Sequence, residues 1–387
     1  MKRAAIIILD GVGIGAAPDA AAYGDKGSDT LGNVARAVKG LKLPNLEKLG
    51  LGNIKRLDGV RARSDAAGAW GLMRPTSAGK DSTTGHWEIA GVSLANPFPT
   101  FPKGFPGEVL EAFAGRTGRG VIGNVAASGT EVIDRFGEEQ QRTGAWIVYT
   151  SADSVFQIAA HEGVIPLAEL YAACELARDM LVPPYNVARV IARPFDGEPG
   201  HFARTANRRD YSIQPPQETL LDTLAAAGIA RTGLGKGDDL FAGRSITSQH
   251  TASNAAGIQL ILDWISGPEN GFLLANLVDF DQLFGHRNDV AGFYNALREF
   301  DDALPSLLSA LKEEDLLFLT ADHGNDPTTP STDHARENVP LLAAGRRVRP
   351  VSLGERSTFA DLGATVGEWM AVPYKGRGES FLSAITQ

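Results

Sequence analysis

Cysteine is almost missing from this chain: Cys174 is the single one in 387 residues. An intramolecular disulfide framework is therefore excluded, and a reducing, cytoplasmic setting is expected. No run of roughly eighteen residues escapes polar interruption, so no membrane span is expected. A cleavable leader is not expected either. Lys2-Arg3 before Ala4–Leu9 imitates one, but the apolar part is too short, and Asp10 and a glycine turn follow it. An excess of positive charge is absent: 37 Lys and Arg against 46 Asp and Glu leave a net charge of −9. This disfavours a nucleic-acid partner, although a local basic pocket for a small anion remains compatible with it. Internal repeats, low-complexity segments and signs of an obligate protein partner are likewise lacking.

The length suffices for about two domains. Strand-like and helix-like segments alternate, which predicts an α/β architecture with a mainly parallel sheet. Strands are expected at Ala4–Leu9, Phe272–Val278, Asp315–Thr320 and Val339–Ala344. The stripe Val290, Phe293, Leu297, Phe300, Leu304, Leu308 and Leu311 has helical spacing, with a kink expected at Pro305. A further helix should open at Thr358 and carry Phe359, Leu362, Val366 and Trp369 on one face. Two proline-rich stretches, 94–106 and 213–217, read as linkers. Between them lie strand candidates at Val121–Ala126, Trp146–Thr150 and Val187–Phe195, and a helix from about Pro166 to Met180. A discontinuous core domain, 1–95 with 213–387, is therefore expected to carry an inserted domain, 96–212.

Chemistry concentrates at strand ends. The apolar run Asp315–Thr320 leads into Asp322-His323-Gly324-Asn325, and His334 follows His323 by eleven residues. An adjacent carboxylate and imidazole at such a corner can reach one divalent metal, and the returning histidine another. A capping Asp and a satisfied loop His would explain the pair equally well. Asp10 ends the first predicted strand. The following Gly11-Val12-Gly13-Ile14-Gly15 fits the dinucleotide fingerprint poorly, because a carboxylate precedes the glycines and Pro18 interrupts the helix it requires. The third corner carries Asp279 and Asp281, with His286 five residues beyond Asp281. Three strands ending in carboxylates, with three of seven histidines in or beside them, make coincidence a weak explanation. Mixed Asp and His ligands suit Mn²⁺, Zn²⁺ or Mg²⁺, and six are enough for two ions acting on a phosphoryl group. The segment 78–91 adds three consecutive hydroxyls, Ser82, Thr83 and Thr84. A metal can activate such a hydroxyl as a nucleophile, while helix capping is the plain alternative for each.

The segments Asp10–Gly15, Gly79–Glu88, Tyr149–Ser154, Val190–Pro194, Asn276–Asp289 and Ala321–Asn325 together resemble bacterial phosphopentomutases, of the alkaline phosphatase superfamily. The likeness runs in order through nearly the whole chain. It implies an alkaline-phosphatase-like α/β core with helices flanking a mainly parallel sheet, and a smaller inserted α+β cap. It also implies two Mn²⁺ ions, with Mg²⁺ or other divalent ions as substitutes, and Thr84 as the phosphate-carrying nucleophile. On this pattern Asp10, Asp322 and His323 hold one ion, and Asp281, His286 and His334 the other, with Asp279 the runner-up to Asp281. Substrate contacts are expected from Ser151, Asp153 and Arg189 of the cap and from Lys236 of the core. The nearby Arg193 and Arg204 suit phosphate as well, whereas Arg208 and Arg209 read as a solvated face. The stretch after Gly235-Lys236 departs from the family pattern. The implied reaction interconverts α-D-ribose 1-phosphate and ribose 5-phosphate, and the deoxyribose pair. A sugar bisphosphate, glucose 1,6-bisphosphate or ribose 1,5-bisphosphate, would act as primer. A metal-dependent phosphomonoesterase is the alternative, with a hexose mutase and a non-enzymatic binding protein behind it.

Overall fold

A computed structural model describes residues 2–151 and 153–386. It begins with β1 (Arg3–Leu9) and β2 (Ala69–Met73). Six strands follow: β3 (Val121–Ala126), β4 (Trp146–Thr150), β5 (Val155–His161), β6 (Arg189–Asp196), β7 (Ala203–Arg204) and β8 (Arg209–Ser212). The chain then adds β9 (Arg231–Leu234), β10 (Thr247–Gln249), β11 (Gly271–Leu277), β12 (Asp315–Thr320), β13 (Val339–Ala344) and β14 (Ser352–Arg356). Two compact units result, one from Met1–Pro97 with Pro215–Gln387, the other from Phe98–Gln214.

The first unit holds an eight-stranded sheet in the order β10-β9-β11-β1-β12-β13-β2-β14. Its pairings from β10 through β12 are all parallel, and the antiparallel pairings are those that β13 makes with β12 and β2. The mainly parallel sheet is as expected from alternating elements. β1 is buried along its whole length, and that is why it reads as an unbroken apolar run rather than an alternating one. At the amino ends of the parallel strands, Arg3 is buried and donates Nε to Asp315 Oδ1 at 2.7 Å. Removing one partner of such a buried pair costs about 3–5 kcal/mol, so this end of the sheet serves stability. The expected helix stripe forms Val290–Ala310, capped by Asp289 and continuous through Pro305. The last long helix starts at Ala360 rather than Thr358, whose hydroxyl instead donates to Glu88.

The second unit carries its own sheet, β3-β4-β5-β6-β7, with β8 also on β6. It is mixed: β3 with β4 and β5 with β6 run parallel, the other pairings antiparallel. Period-two alternation gives β4 two buried faces. Trp146 and Val148 pack with Phe113 and Leu170, from the helices Gly107–Thr117 and Leu167–Met180. Ile147 and Tyr149 pack with Val132 and Ile133 of the helix Gly129–Thr143. Cys174 is buried in the first of these layers, where burial pushes its thiol well above the ordinary range, so it is a packing residue. Among the described residues no helix is long and apolar enough to cross a membrane.

Candidate active site

Parallel register puts three chemical corners side by side. Leu9 lies opposite Leu277, and Ile8 opposite Thr320, so β1, β11 and β12 release their chains at one edge of the sheet. Asp10 and the pair Asp322-His323 follow within a few residues, and Asp281 in the turn after β11, at the carboxyl edge where open α/β sheets place ligands. β9 extends that edge, and Lys236 just beyond it has Nζ 3.8 Å from Asp10 Oδ2.

One half of the site is built from strand ends. His323 Nε2 is 3.3 Å from Asp10 Oδ1 and 3.4 Å from Asp322 Oδ2, all three side chains being buried. His323 Nδ1 faces the Gly324 carbonyl at 3.1 Å, and a carbonyl only accepts, so Nδ1 carries hydrogen and Nε2 turns to the carboxylates. Burial opposes a charge on this ring, but Asp322 and Asp10 outweigh it and lift the imidazole to about 10. Burial likewise works against the Asp322 carboxylate, which His323, His86 and the Gly11 N–H nevertheless hold down to about 2. Gly11 makes that last contact from a left-handed turn with φ of 76°. A Cβ there would meet Asn325 Cβ at 2.9 Å.

The other half is built from loops. Asp281 Oδ2 is 3.2 Å from His286 Nε2, and Oδ1 is 3.4 Å from His334 Nε2. Asp281 lies in a π-helical turn, Phe280–Phe284, and receives a 2.7 Å hydrogen bond from Asn325 Nδ2. Burial raises its carboxyl, yet His334 and His286 bring it well below the ordinary range. His286 donates Nδ1–H to the Thr332 carbonyl at 2.6 Å, so it too presents Nε2. His334 returns to the site because Gly324 and Ala335 form an antiparallel bridge. That bridge is the physical content of the eleven-residue spacing, and it sets the His323 and His334 rings 4.3 Å apart. Asp279 faces away: it accepts from the Asn254 amide at 2.7 Å, at the head of the helix Asn254–Ser266.

The hydroxyl segment forms the head of the helix Ser82–Ile89, with Asp81 as N-cap. Ser82 Oγ, at the first position, is half-buried and 3.0 Å from His323 Nε2. Thr84 is turned elsewhere. It is 2 % exposed, and its hydroxyl donates back to the Asp81 carbonyl at 2.9 Å and Oδ2 at 3.1 Å. The hydroxyl beside the metal-ligand candidates is thus Ser82, against the expectation of Thr84. The sequence leaves Ser82, Thr83 and Thr84 alike open as nucleophile or cap, and the family resemblance selects Thr84; the first helical position after the capping Asp81 is what aims Ser82 outward from the helix end.

The four residues after Thr84 lock this helix in place. Gly85 allows contact with the strand-end chain, since a Cβ there would lie 2.1 Å from the Asp322 carbonyl oxygen. Trp87 donates Nε1–H to the Leu240 carbonyl at 2.9 Å. Buried Glu88 accepts from the Thr76, Ser77 and Phe359 amides and the Thr358 hydroxyl. The sequence alone assigns these residues no role, nor does it reveal Asn276 and Asn325 as partners of Asp10 and Asp281. Both asparagines stand inside the quoted motifs, which was the available signal.

The donor set fits divalent metal ions. Asp10 Oδ1 and Asp322 Oδ2 are buried without a hydrogen-bond partner, a costly arrangement that a cation would relieve. Ligand atoms of Asp281, His286 and His334, and of Asp10, Asp281 and His323, converge within 4.8 Å in each group, so Asp281 belongs to both. Oxygen and imidazole donors without thiolate match Mn²⁺, Mg²⁺ or Zn²⁺ chemistry.

In the second unit the expected substrate residues form two groups. Asp153, beyond the end of β4, is 3.8 Å from Arg189 at the start of β6, which also reaches Asp210 at 3.5 Å. Ser151 follows β4 directly. Arg193 lies four residues farther along the same face of β6, roughly 13 Å away by strand rise, and donates to Gln157 at 3.1 Å. Arg204 donates to Thr130 at 2.9 Å. Burial, then the positive charges of Arg208 and Arg204, lower the Arg193 guanidinium.

Comparison with known proteins identifies the family. The metalloenzyme superfamily model matches residues 2–374. The phosphopentomutase of Desulfitobacterium hafniense strain DCB-2 is 56% identical over 388 residues, covering 100% of both chains. That of Dictyoglomus thermophilum is 55% identical over 389 residues, covering 100% of this chain and 99% of the relative. A phosphoglycerate mutase structure from Leishmania mexicana shares the fold at 13% identity, with a TM-score of 0.50 and coverage of 98% and 97%. The chain belongs to the phosphopentomutase family of the metalloenzyme superfamily, as the sequence motifs implied.

Proposed function

We propose that this enzyme interconverts α-D-ribose 1-phosphate and D-ribose 5-phosphate, and the corresponding 2-deoxyribose phosphates, through a phosphorylated enzyme and a sugar 1,5-bisphosphate. The observation that carries the reading is a half-buried hydroxyl, Ser82 Oγ, 3.0 Å from His323 within a cluster of three buried carboxylates and three imidazoles. A hydroxyl so placed is suited to carry a phosphoryl group between turnovers. Asp10, Asp322 and His323 would hold one ion and Asp281, His286 and His334 the other, with Mn²⁺ the favoured metal. Bound there, the ions would supply Lewis-acid stabilisation of charge on the transferring phosphoryl group.

This chain's own groups do the rest. The enzyme-bound phosphoryl group passes to the free hydroxyl of the sugar monophosphate: a P–O bond to the sugar forms as the bond to Ser82 breaks. The bisphosphate then returns its other phosphoryl group to Ser82. The helix Ser82–Ile89 directs its amide dipoles toward the phosphoryl position. Lys236 is proposed to neutralise a substrate phosphate, with Ser151, Asp153, Arg189, Arg193 and Arg204 as further sugar-phosphate contacts. A sugar bisphosphate such as glucose 1,6-bisphosphate would prime the unphosphorylated enzyme. Thr84 is the second candidate carrier, and its bonds to Asp81 argue against it.

The deciding measurement is peptide mass mapping after incubation with glucose 1,6-bisphosphate and Mn²⁺. One phosphate localised to Ser82 is expected, and Ser82→Ala should abolish it. Phosphate on Thr84 would restore that residue as carrier. An unmodified protein that releases inorganic phosphate in step with substrate loss would make it a phosphomonoesterase.

A further inference from the structure

His86 lies outside every ligand set described above, yet it is fully buried at the centre of the site. Its Nδ1 is 2.9 Å from the Ser82 carbonyl oxygen and 3.1 Å from Asp322 Oδ2. Both are acceptors, so Nδ1 carries the hydrogen. On the opposite side of the ring, Nε2 is 3.3 Å from Asn276 Nδ2, and the same amide nitrogen is 3.1 Å from Asp10 Oδ2. An ionised carboxylate only accepts, so the amide nitrogen, and not the amide oxygen, faces Asp10. Each of its two hydrogens then has one acceptor, Asp10 and His86 Nε2. The ring is left with no lone pair for a metal.

We infer that His86 and Asn276 are positioning residues: the hydrogen bonds Asp10–Asn276–His86–Ser82, with His86 Nδ1 also held 3.1 Å from Asp322 Oδ2, fix the two strand-end carboxylates relative to each other and to the Ser82 backbone. The elements explain why such a link is needed. Asp10 and Asp322 come from neighbouring strands, and Ser82 comes from a helix that no strand register ties to them. His86 stands one helical turn after Ser82, so its ring spans from that helix to Asp322, while Asn276 near the end of β11 reaches Asp10. Neutral donors hold the carboxylates in place and leave their charge available to a cation. Asn276 Oδ1 has no hydrogen-bond partner, so the amide is retained for its donors. The inference rests on the two-ion reading proposed above.

The test is Mn²⁺ binding, by equilibrium dialysis with metal analysis, in the absence of substrate. The wild-type protein should bind two ions. His86→Leu and Asn276→Leu should weaken one ion by on the order of 10–100-fold and leave the other unchanged. Side-chain geometry separates positioning from mere space filling. In His86→Asn the amide nitrogen falls near the Nδ1 position and should restore affinity to within about threefold, whereas His86→Gln, whose nitrogen falls near Nε2, should not. If the leucine variants do not fold, the two amide variants decide alone, with circular dichroism confirming their fold. Equal affinity in the asparagine and glutamine variants, or wild-type binding of both ions in either leucine variant, overturns the proposal. A wild-type protein that binds fewer than two Mn²⁺ ions overturns the two-ion reading on which it rests.

Discussion

The two halves of the metal-ligand cluster are built on different principles. Asp10, Asp322 and His323 issue from adjacent parallel strands, and their side chains are at most 2% exposed. Asp281, His286 and His334 come from a π-helical turn, a short 3₁₀ turn and a loop, and the His286 side chain is 35% exposed. Sheet register fixes the first set before any ion arrives. A few local hydrogen bonds hold the second: Asn325 to Asp281, His286 to the Thr332 carbonyl, and the two of the bridge that returns His334. A rigid half and a more adjustable half suit an enzyme whose proposed phosphoryl carrier, Ser82, stands against the rigid one while substrates come and go.

Substitutions can break that contrast, and the largest effect is expected in the rigid half. Asp10→Asn should lower mutase turnover by on the order of 10²–10³-fold or more, yet raise the melting temperature of the chelator-treated protein. Removing one of three crowded buried carboxylates relieves repulsion where no ion offsets it. A lower melting temperature would show that the carboxylates are not in conflict. Gly85→Ala should come next. Its Cβ would press on the Asp322 carbonyl oxygen, costing about 1–3 kcal/mol in denaturant unfolding and displacing Ser82, so turnover should fall further than stability. Unchanged turnover would mean that the helix position does not matter.

The loop half should respond more mildly. Asn325→Ala frees Asp281 from its 2.7 Å partner and should weaken one Mn²⁺ by on the order of tenfold, with activity recovered at higher Mn²⁺. Activity beyond recovery would make this half as unforgiving as the other. The smallest effect on turnover is expected at Glu337, buried where it accepts from Gly15 and Thr30. Burial chiefly, with help from Asp326, pushes its carboxyl up to about 8 from an ordinary 4.5. The folded protein then binds more protons than the unfolded chain between those values. Stability is accordingly full below the lower value and falls as pH rises through the upper one. Glu337→Gln should flatten that decline between about pH 5 and 8, measured by urea unfolding of the metal-free protein.

The core strands were readable because central parallel strands are continuous apolar runs: Asp315–Thr320 and Val339–Ala344 form as expected, and β1 and β11 lie within one residue of it. Their carboxyl ends then marked the site. Edge and short strands such as β10 and β14 carry no such run and escaped notice. The strand Val155–His161 and the helices Gly107–Thr117 and Gly129–Thr143 were also passed over, the first helix starting directly behind a proline-rich stretch. Within the site, the candidate ligands stood out because Asp and His at strand ends are donors suited to hard and borderline divalent ions, and the structure brings those side chains together. Which hydroxyl faces them was not, since Ser82 and Thr84 differ only in their angle around one helical turn. The roles of the asparagines were not legible for a related reason: they stand inside the motifs, but nothing in the sequence says that their amides donate to Asp10 and Asp281.

Glu88 gathers hydrogen bonds from residues 76–77 and from Thr358 and Phe359, some 270 positions downstream. During synthesis the segment Phe98–Gln214, a continuous stretch with its own sheet, has every strand it needs long before the chain is finished. The helix bearing Ser82 does not. Its anchor is complete only when the last tenth of the polypeptide has left the ribosome, so a nascent or truncated chain holds every strand of the insert while the helix of the proposed carrier still lacks part of its anchor.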